Sequence, residues 1–221
     1  MSSSPIKVAA LSIGLAAASL CLAQSQPDGV AKERRKAQEG RIIEALGLHE
    51  GSVVADIGAG SGGFEGAFAA AVGAKGRVYA EDIDQKHAIP ELKKKISKEH
   101  WKNVQTILGT ADDPKLPAPS KLDGVVMVIM YHEIAKPDQV LAKVNAALKP
   151  GGRLVIVDMH PHRTASRPRA DQVKNHVIAA DLVLQEVTAA GFELVLRDDK
   201  VVDYPDEESS RFMLVFRTKS N

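Results

Sequence analysis

Cysteine is nearly absent from this chain of 221 residues, because Cys21 is the only one. We therefore expect no internal disulfide, no thiolate metal site and, once a leader ending at Ala23 is removed, no cysteine nucleophile. Aromatic residues make up only 4% of the chain, which argues against a platform on which nucleic-acid bases stack. A surplus of charge is also missing, since 29 Lys and Arg residues face 28 Asp and Glu residues. We expect no nucleic-acid partner.

A hydrophobic run long enough to cross a membrane is missing as well. The apolar stretch after Lys7 covers residues 8–22, about 15 residues where a spanning helix needs roughly 20. Small residues at Cys21 and Ala23 precede a polar segment, which is typical of a cleaved secretory signal peptide. We predict a signal peptide over 1–23, export to the periplasm and a mature chain without a membrane span. An uncleaved anchor and a lipoprotein modified at Cys21 are the alternatives. Residues 24–40 should form a linker in which a first helix starts, and one domain should follow over 41–221.

Predicted strands and helices alternate along the rest of the chain. The strand over 123–130 carries a continuous apolar run at 125–130, as expected of a strand that is buried on both faces. The last two strands have no helix between them, so the last one should run antiparallel. The sequence therefore predicts an α/β fold, a Rossmann-like seven-stranded mostly parallel sheet with an antiparallel last strand and helices on both faces. The strands are expected at 52–57, 77–82, 104–108, 123–130, 153–158, 192–197 and 212–217, and the helices at 41–48, 64–72, 85–100, 137–148 and 171–190.

A glycine-rich turn between the first strand and the first helix of the sheet is the strongest functional signal. The segment VVADIGAGSGGF covers residues 53–64. Glycines in such a turn adopt positive φ and let a ligand lie against bare backbone. The turn also satisfies the G-x-G-x-x-G pattern of dinucleotide sites, so by itself it does not separate cofactor classes. We expect the turn, Gly58, Ala59, Gly60, Ser61 and Gly62, to hold a nucleotide-like cofactor.

Two acidic residues narrow the choice of cofactor. Asp82 ends the second strand, 22 residues after Gly60, where a carboxylate can bind both hydroxyls of a ribose. Asp56 precedes the turn, where it would repel a pyrophosphate and attract a sulfonium or an ammonium group. Together with the KPGG turn at 149–152, these residues favour S-adenosylmethionine over NAD. A nicotinamide-dependent oxidoreductase is the weaker alternative, because no Tyr-x-x-x-Lys pair is present.

The chain resembles the class I S-adenosylmethionine-dependent methyltransferases over residues 38–218, and among them a bacterial exported group with a Tyr-His pair after the fourth strand. The resemblance implies a methyltransferase domain over 41–221 with S-adenosylmethionine as its cofactor and a small-molecule acceptor. It is carried by VVADIGAGSGGF (53–64), VYAEDID (78–84), ILGTADDPKLP (107–117), DGVVMVIMYHEI (123–134), LKPGGRLVIVDMH (148–160) and AGFELV (190–195).

The resemblance also implies roles for single residues. Asp56, Gly58 and Gly60 would line the methionine and ribose parts of the cofactor, and Asp82 would hold the ribose hydroxyls. Asp112 would accept a hydrogen bond from the adenine amino group, with Ala111 packed on the ring. Many family members place an acid directly after a glycine in that loop, and this chain departs from the pattern. Met130 and Tyr131 would lie near the sulfonium.

The candidate catalytic residues are Tyr131 and His132, at the carboxyl end of the fourth strand. His132 is the first choice of general base because an imidazole titrates near neutral pH, although it could instead order the loop. His160 and His162 form a His-x-His pair without a visible third ligand, so we expect no metal. His176 is a further pocket candidate. The alternative to a methyltransferase is an exported cofactor-binding protein without transfer activity.

Overall fold

The structure is a computed structural model that describes residues 28–117, 119–161, 165–202 and 210–219. The predicted signal peptide, Cys21 and His162 lie outside the described residues. Within the described part of the chain, no helix combines the length and the apolar character needed to span a bilayer.

Seven strands form one sheet in the order β3-β2-β1-β4-β5-β7-β6. All neighbours from β3 to β5 are parallel, whereas β7 pairs antiparallel with both β5 and β6. The prediction of a mostly parallel sheet with an antiparallel last strand is confirmed. The strands are β1 (Val53–Ile57), β2 (Arg77–Asp82), β3 (Val104–Leu108), β4 (Leu122–Val128), β5 (Leu148–Met159), β6 (Phe192–Asp198) and β7 (Arg211–Thr218).

Helices cover both faces of the sheet, as the sequence predicts. Val125 and Met127 of β4 pack in one hydrophobic cluster with α4 and α6, while Val126 between them packs in the other cluster with α1, α2 and α3. This alternation follows from the pleat of a strand. The helices are α1 (Asp28–Leu46), α2 (Glu65–Val72), α3 (Ala88–Lys98), α4 (Pro137–Ala147), α5 (Arg169–Val173) and α6 (Ala180–Ala189), and a 3₁₀ turn covers Tyr131–Glu133.

The first helix is longer than the pattern predicts. It runs without interruption from Asp28 to Leu46, where the sequence predicts a short helix over 41–48. Most residues before Gln38 are exposed, whereas Ile42 and Leu46 are buried against the sheet. The spacing of apolar residues therefore predicts only the carboxyl-terminal part of α1, which packs on the sheet. The exposed part of the helix carries no apolar stripe.

The predicted helix over 171–190 is wrong, because the structure divides it into α5 and α6. The buried Gln172 side chain supports the break: its Oε1 accepts a hydrogen bond from Ala179 N at 2.6 Å, and its Nε2 donates to Arg167 O at 2.8 Å. His176 lies in the break with a φ of +54°. The break brings His176 to the carboxyl end of β4.

The chain turns sharply where β4 ends. Ile129 has a φ of +53°, which is unusual for a β-branched residue, and its N–H donates to Val157 O at 2.7 Å. Met130 follows and packs against Gly58 at the end of β1. The carboxyl ends of β1, β2 and β4 thus meet at one edge of the sheet, the edge at which open α/β sheets bind ligands.

Candidate functional site

The glycine-rich loop joins β1 to α2 and has the predicted backbone. Gly58, Gly60 and Gly62 have φ values of +75°, +57° and +83°. The N–H groups of Gly58 and Ala59 both donate to Glu81 O, at 2.9 and 2.8 Å. A Cβ on Gly58 would lie 2.9 Å from Met130 Cβ, which is too close for any side chain. The loop is therefore held against the ends of β2 and β4 and needs glycine at position 58.

The other residues of the loop lie outside the cavity described below. Ala59 and Gly62 are buried and Ser61 is exposed. A Cβ on Gly62 would lie 2.8 Å from Leu92 Cδ1, and Lys95 Nζ donates to the carbonyl of Gly62. Gly62 therefore serves the packing of the loop on α3.

Asp82 holds the loop from the end of β2. Its Oδ2 accepts a hydrogen bond from Gly60 N at 2.9 Å, and its Oδ1 accepts one from Asp84 N at 2.8 Å. The carboxylate also lines the cavity, so it faces the space where the sequence predicts a ribose.

A cavity of about 330 Å³ opens at this edge of the sheet. Four of the predicted site residues line it, namely Gly58, Asp82, Ala111 and Met130. The full lining consists of Ile57, Gly58, Glu81, Asp82, Ile83, Thr110, Ala111, Pro114, Met130, Glu133, Ile134, Ala135 and Val140.

Glu81 is a cavity residue that the sequence analysis missed. Its side chain is 2% exposed, and its Oε1 has no hydrogen-bond partner among the described residues. A Cβ on Gly109 would lie 1.9 Å from that oxygen, so glycine at 109 makes room for the carboxyl. Burial, and to a smaller degree the neighbouring carboxylates of Asp82 and Asp113, raise the pKa of Glu81 to about 8. The available signal was the pair of acids, Glu81 and Asp82, at the end of the second strand, from which alternation along the strand selected Asp82.

Asp56 does not line the cavity. It is 2% exposed and shares a hydrogen bond with the side chain of Glu65, at the start of α2. Burial raises the pKa of Asp56 well above its usual value, and the nearby carboxylates of Glu65, Glu81 and Asp82 raise it further. Burial of the two carboxyls side by side means that ionisation of one opposes ionisation of the other.

The loop after β3 presents residues other than Asp112 to the cavity. Asp112 is exposed, and its Oδ1 accepts a hydrogen bond from Thr110 Oγ1 at 2.9 Å. Thr110, Ala111 and Pro114 line the cavity, and so does Ile83, whose side chain is 57% exposed. Ile83 was also missed, although an exposed apolar residue directly after Asp82 was a usable signal.

Tyr131 points into the core and not into the cavity. It is fully buried, and its hydroxyl donates to Glu186 Oε2 at 2.8 Å, while Arg169 Nε donates to Glu186 Oε1 at 2.9 Å. Burial, followed by the charge of Glu186, raises the pKa of Tyr131. The structure therefore links this hydroxyl to α6.

His132 is buried between two carboxylates. Its Nδ1 lies 2.8 Å from Asp158 Oδ1, and its Nε2 lies 3.1 Å from Glu133 Oε1. Burial, the largest single influence, opposes the charged imidazolium, but hydrogen bonds and charge from Asp158 and Glu133 together raise the pKa of His132. When it is protonated, the ring donates to both neighbours and has no lone pair with which to accept a proton from a substrate.

The other two candidate histidines that the structure describes, His176 and His160, lie in different parts of the molecule. His176 is exposed, and its Nδ1 lies 2.7 Å from the same Glu133 Oε1 that His132 contacts. A hydrogen bond from His176 lowers the pKa of Glu133, and the nearby His132 lowers it further. His160 instead lies with its Nε2 2.8 Å from Asp199 O and its ring against Phe212. The structure thus brings together His132, Glu133 and His176, of which Glu133 lines the cavity.

Comparison with known sequences agrees with this geometry. Residues 54–152 match the family described as "Methyltransferase domain". The chain is 33% identical over 117 residues to the ubiquinone/menaquinone biosynthesis C-methyltransferase UbiE of Teredinibacter turnerae, covering 52% of this chain and 46% of that protein. It is 27% identical over 182 residues to the Pseudomonas aeruginosa protein of the same name, covering 78% of this chain and 67% of that protein. The chain thus spans about half to two thirds of the length of these relatives.

Solved structures share the fold at low identity. A SAM dependent methyltransferase from Aquifex aeolicus superposes with a TM-score of 0.69 at 24% identity, covering 87% of this chain and 98% of that one. The [4+2]-cyclase SpnF superposes with a TM-score of 0.70 at 16% identity, covering 83% and 81%. The match of residues 54–152 to the methyltransferase domain family, the sheet topology and the glycine loop beside the cavity all agree with a Rossmann-like methyltransferase fold and with S-adenosylmethionine as the cofactor.

Proposed function

We propose that this chain transfers the methyl group of S-adenosylmethionine to a small-molecule acceptor held at the carboxyl end of β4. The observation that carries the proposal is the cavity of about 330 Å³ in which Gly58, Asp82, Met130 and Glu133 meet. Residues from both the cofactor loop and the end of β4 line this one space. A cofactor and a second small molecule can therefore contact each other there.

The residues of the cavity fit the cofactor. Asp82 holds the ribose hydroxyls, and the apolar surfaces of Ile83 and Ala111 pack on the adenine. The missing Cβ of Gly58 leaves bare backbone beside Met130, and the buried, unpartnered Oε1 of Glu81 offers an acceptor. The bound cofactor supplies a methyl group on a positively charged sulfonium. A cavity edge with several carboxyls stabilises such a charge.

The chain contributes to transfer mainly by position. Holding two reactants in line converts a bimolecular step into one with a large effective concentration. Of His132, Glu133 and His176, only Glu133 lines the cavity, and its pKa is lowered. We therefore place the acceptor beside Glu133. His132 and Asp158 stand behind Glu133 and position it. In this proposal Glu133 contacts the substrate, whereas the sequence analysis assigned that contact to Tyr131 and His132.

The names of the sequence relatives suggest a carbon acceptor. Both proteins are called ubiquinone/menaquinone biosynthesis C-methyltransferases. Methylation at carbon needs an acceptor that already carries high electron density at the attacked carbon, such as a hydroxylated aromatic ring. This requirement suits a site in which His132 does not line the cavity.

A second candidate function is cofactor binding without methyl transfer. It is favoured by the engagement of Tyr131 with Glu186 and of His132 with two carboxylates. The fold is also compatible with it, because one protein with this fold is the [4+2]-cyclase SpnF.

Two measurements test the proposal. Calorimetric titration should show binding of S-adenosylmethionine and of S-adenosylhomocysteine but not of NAD, and binding of NAD alone would overturn the assignment. Incubation with methyl-labelled cofactor, a cell extract and a panel of hydroxylated quinol precursors should then place label in a small molecule. Asp82→Ala should abolish that labelling. Cofactor binding without any labelled product would favour the second candidate.

A further inference from the structure

We propose that His132, Glu133 and His176 bind a divalent transition-metal ion of the Zn²⁺ type. One ligand atom from each residue is available, and all three atoms lie within 4.8 Å of one another. Glu133 Oε1 lies 3.1 Å from His132 Nε2 and 2.7 Å from His176 Nδ1. Two imidazole nitrogens and a carboxylate oxygen form a donor set that suits zinc. Tetrahedral ligands at zinc lie about 3.3 Å apart, so both distances to Glu133 Oε1 are close to the spacing that the ion requires.

The buried Asp158 is an independent observation that points to the same ligand. It is fully buried, and its Oδ1 lies 2.8 Å from His132 Nδ1 while its Oδ2 accepts the backbone N–H of His132 at 3.1 Å. A histidine that ligates a metal through one ring nitrogen commonly donates the other to a carboxylate, which fixes the tautomer and the ring orientation. Asp158 holds His132 in that way and directs Nε2 toward Glu133.

Charge also favours a divalent cation. Glu133 and Asp158 bring two carboxyl groups to the cluster, and such groups attract a divalent ion. Metal and protons then compete for the ring nitrogens, as they do at histidine sites in general.

The site would be incomplete and open on one side. Three protein ligands leave a fourth position for water or for an oxygen of a bound molecule. Because Glu133 lines the cavity, we place that position on the side of the cavity lined by Met130 and Glu133. The binding of the ion does not depend on methyl transfer.

The break between α5 and α6 assembles the site. His176 is 43 residues from Glu133 in the chain, and it reaches Glu133 from the left-handed turn in that break. In a continuous helix over 171–190 its side chain would follow the helix face and not this turn. The hydrogen bonds of Gln172 that support the break therefore also support the metal site.

A Co²⁺ titration of the full chain, without cofactor, tests the proposal. Co²⁺ replaces zinc and absorbs visible light when nitrogen and oxygen ligands bind it in a distorted tetrahedron. We expect one saturable equivalent, displaced by Zn²⁺. His176→Ala and Glu133→Gln change exposed side chains, so both variants should fold, and each should weaken binding by roughly tenfold or more.

His87→Ala is the matched control. His87 is an exposed histidine whose Nδ1 lies 3.0 Å from Asp84 Oδ2, away from the cluster. This variant should bind Co²⁺ as the parent protein does. The proposal is overturned if Co²⁺ shows no saturable absorption, or if His176→Ala and His87→Ala bind it equally well. Either result leaves the calorimetric test of S-adenosylmethionine binding unaffected.

Discussion

Asp82 accepts a hydrogen bond from the backbone N–H of Gly60, with 2.9 Å between Oδ2 and N. The contact joins the end of β2 to the glycine loop that follows β1, across 22 residues of chain. The same carboxylate lines the cavity. One side chain thus both fixes the loop and presents a charge to the expected ribose.

Replacement of Asp82 by Asn should therefore weaken binding of S-adenosylmethionine. The loss should be about tenfold or more, because a hydrogen bond to a charged group contributes about 1.5–3 kcal/mol. Asp112→Asn is the control, since Asp112 is exposed and outside the cavity lining. Calorimetry of both variants measures the effect. Equal losses in the two variants would restore Asp112 as an adenine contact.

Glu81 should make the stability of the unliganded protein depend on pH. Its pKa is about 8 in the folded chain and near 4.5 when exposed, so between these values the unfolded chain has lost a proton that the folded chain keeps. Its stabilising contribution is complete below the lower value and declines as pH rises through the window, by at most about 1.4 kcal/mol per pH unit. Urea unfolding at about pH 5 and about pH 8 should show a smaller difference for Glu81→Gln than for the parent. An identical difference would show that Glu81 does not titrate in this window.

Binding of S-adenosylmethionine should release a proton from Glu81. The positive sulfonium favours the ionised carboxylate in the same cavity, so its pKa falls on binding. At about pH 7 the calorimetric enthalpy should change with the ionisation enthalpy of the buffer. S-adenosylhomocysteine has a neutral thioether, and it should release fewer protons than S-adenosylmethionine. The release should be absent in Glu81→Gln, and its persistence there would assign the proton to another group.

Gly58→Ala should destabilise the protein more than Gly151→Ala does. The two glycines have nearly the same φ, +75° and +76°. A Cβ on Gly58 would lie 2.9 Å from Met130 Cβ and Cγ, whereas a Cβ on Gly151 would have nothing within 4 Å. Backbone strain is common to both variants, and the clash adds about 1–3 kcal/mol at position 58. Denaturant unfolding of the pair measures the difference, and equal losses would contradict the packing of Met130 on Gly58.

Tyr131→Phe should lower stability and leave cofactor binding unchanged. The substitution removes the hydrogen bond to Glu186 Oε2, which has a length of 2.8 Å, inside a largely buried group. The free energy of unfolding should fall by about 1–2 kcal/mol. Thermal unfolding and calorimetry of the same variant measure both quantities. A weaker affinity for S-adenosylmethionine at unchanged stability would return Tyr131 to the cofactor.

Much of the cofactor half of the site could be predicted because its signals are local. A positive φ at Gly58 or Gly60 is a property of one residue and its neighbours, and the position of Asp82 follows from the end of one strand. Glu81 was missed for the opposite reason. Its carboxyl enters the cavity only because Gly109, directly after the adjacent strand β3, leaves room for it. Export of the chain through residues 1–23 stays a prediction, which N-terminal sequencing of the mature protein would test.

The surroundings of Tyr131 and His132 could not be predicted, because they depend on packing between segments that are distant in the chain. Whether Tyr131 faces the cavity or the core is decided by Glu186 on α6, and the partners of His132 are decided by β5 and by the break before α6. No local sequence pattern specifies those side-chain contacts.

By itself the sequence determined the sheet, its antiparallel end and the glycine loop, because strand alternation, connection length and glycine backbone freedom act within a few residues. Only the tertiary structure decided which acids enter the cavity and which histidines share Glu133. Those outcomes depend on side-chain direction and on loops that bring remote residues together, and both follow from packing of the whole chain.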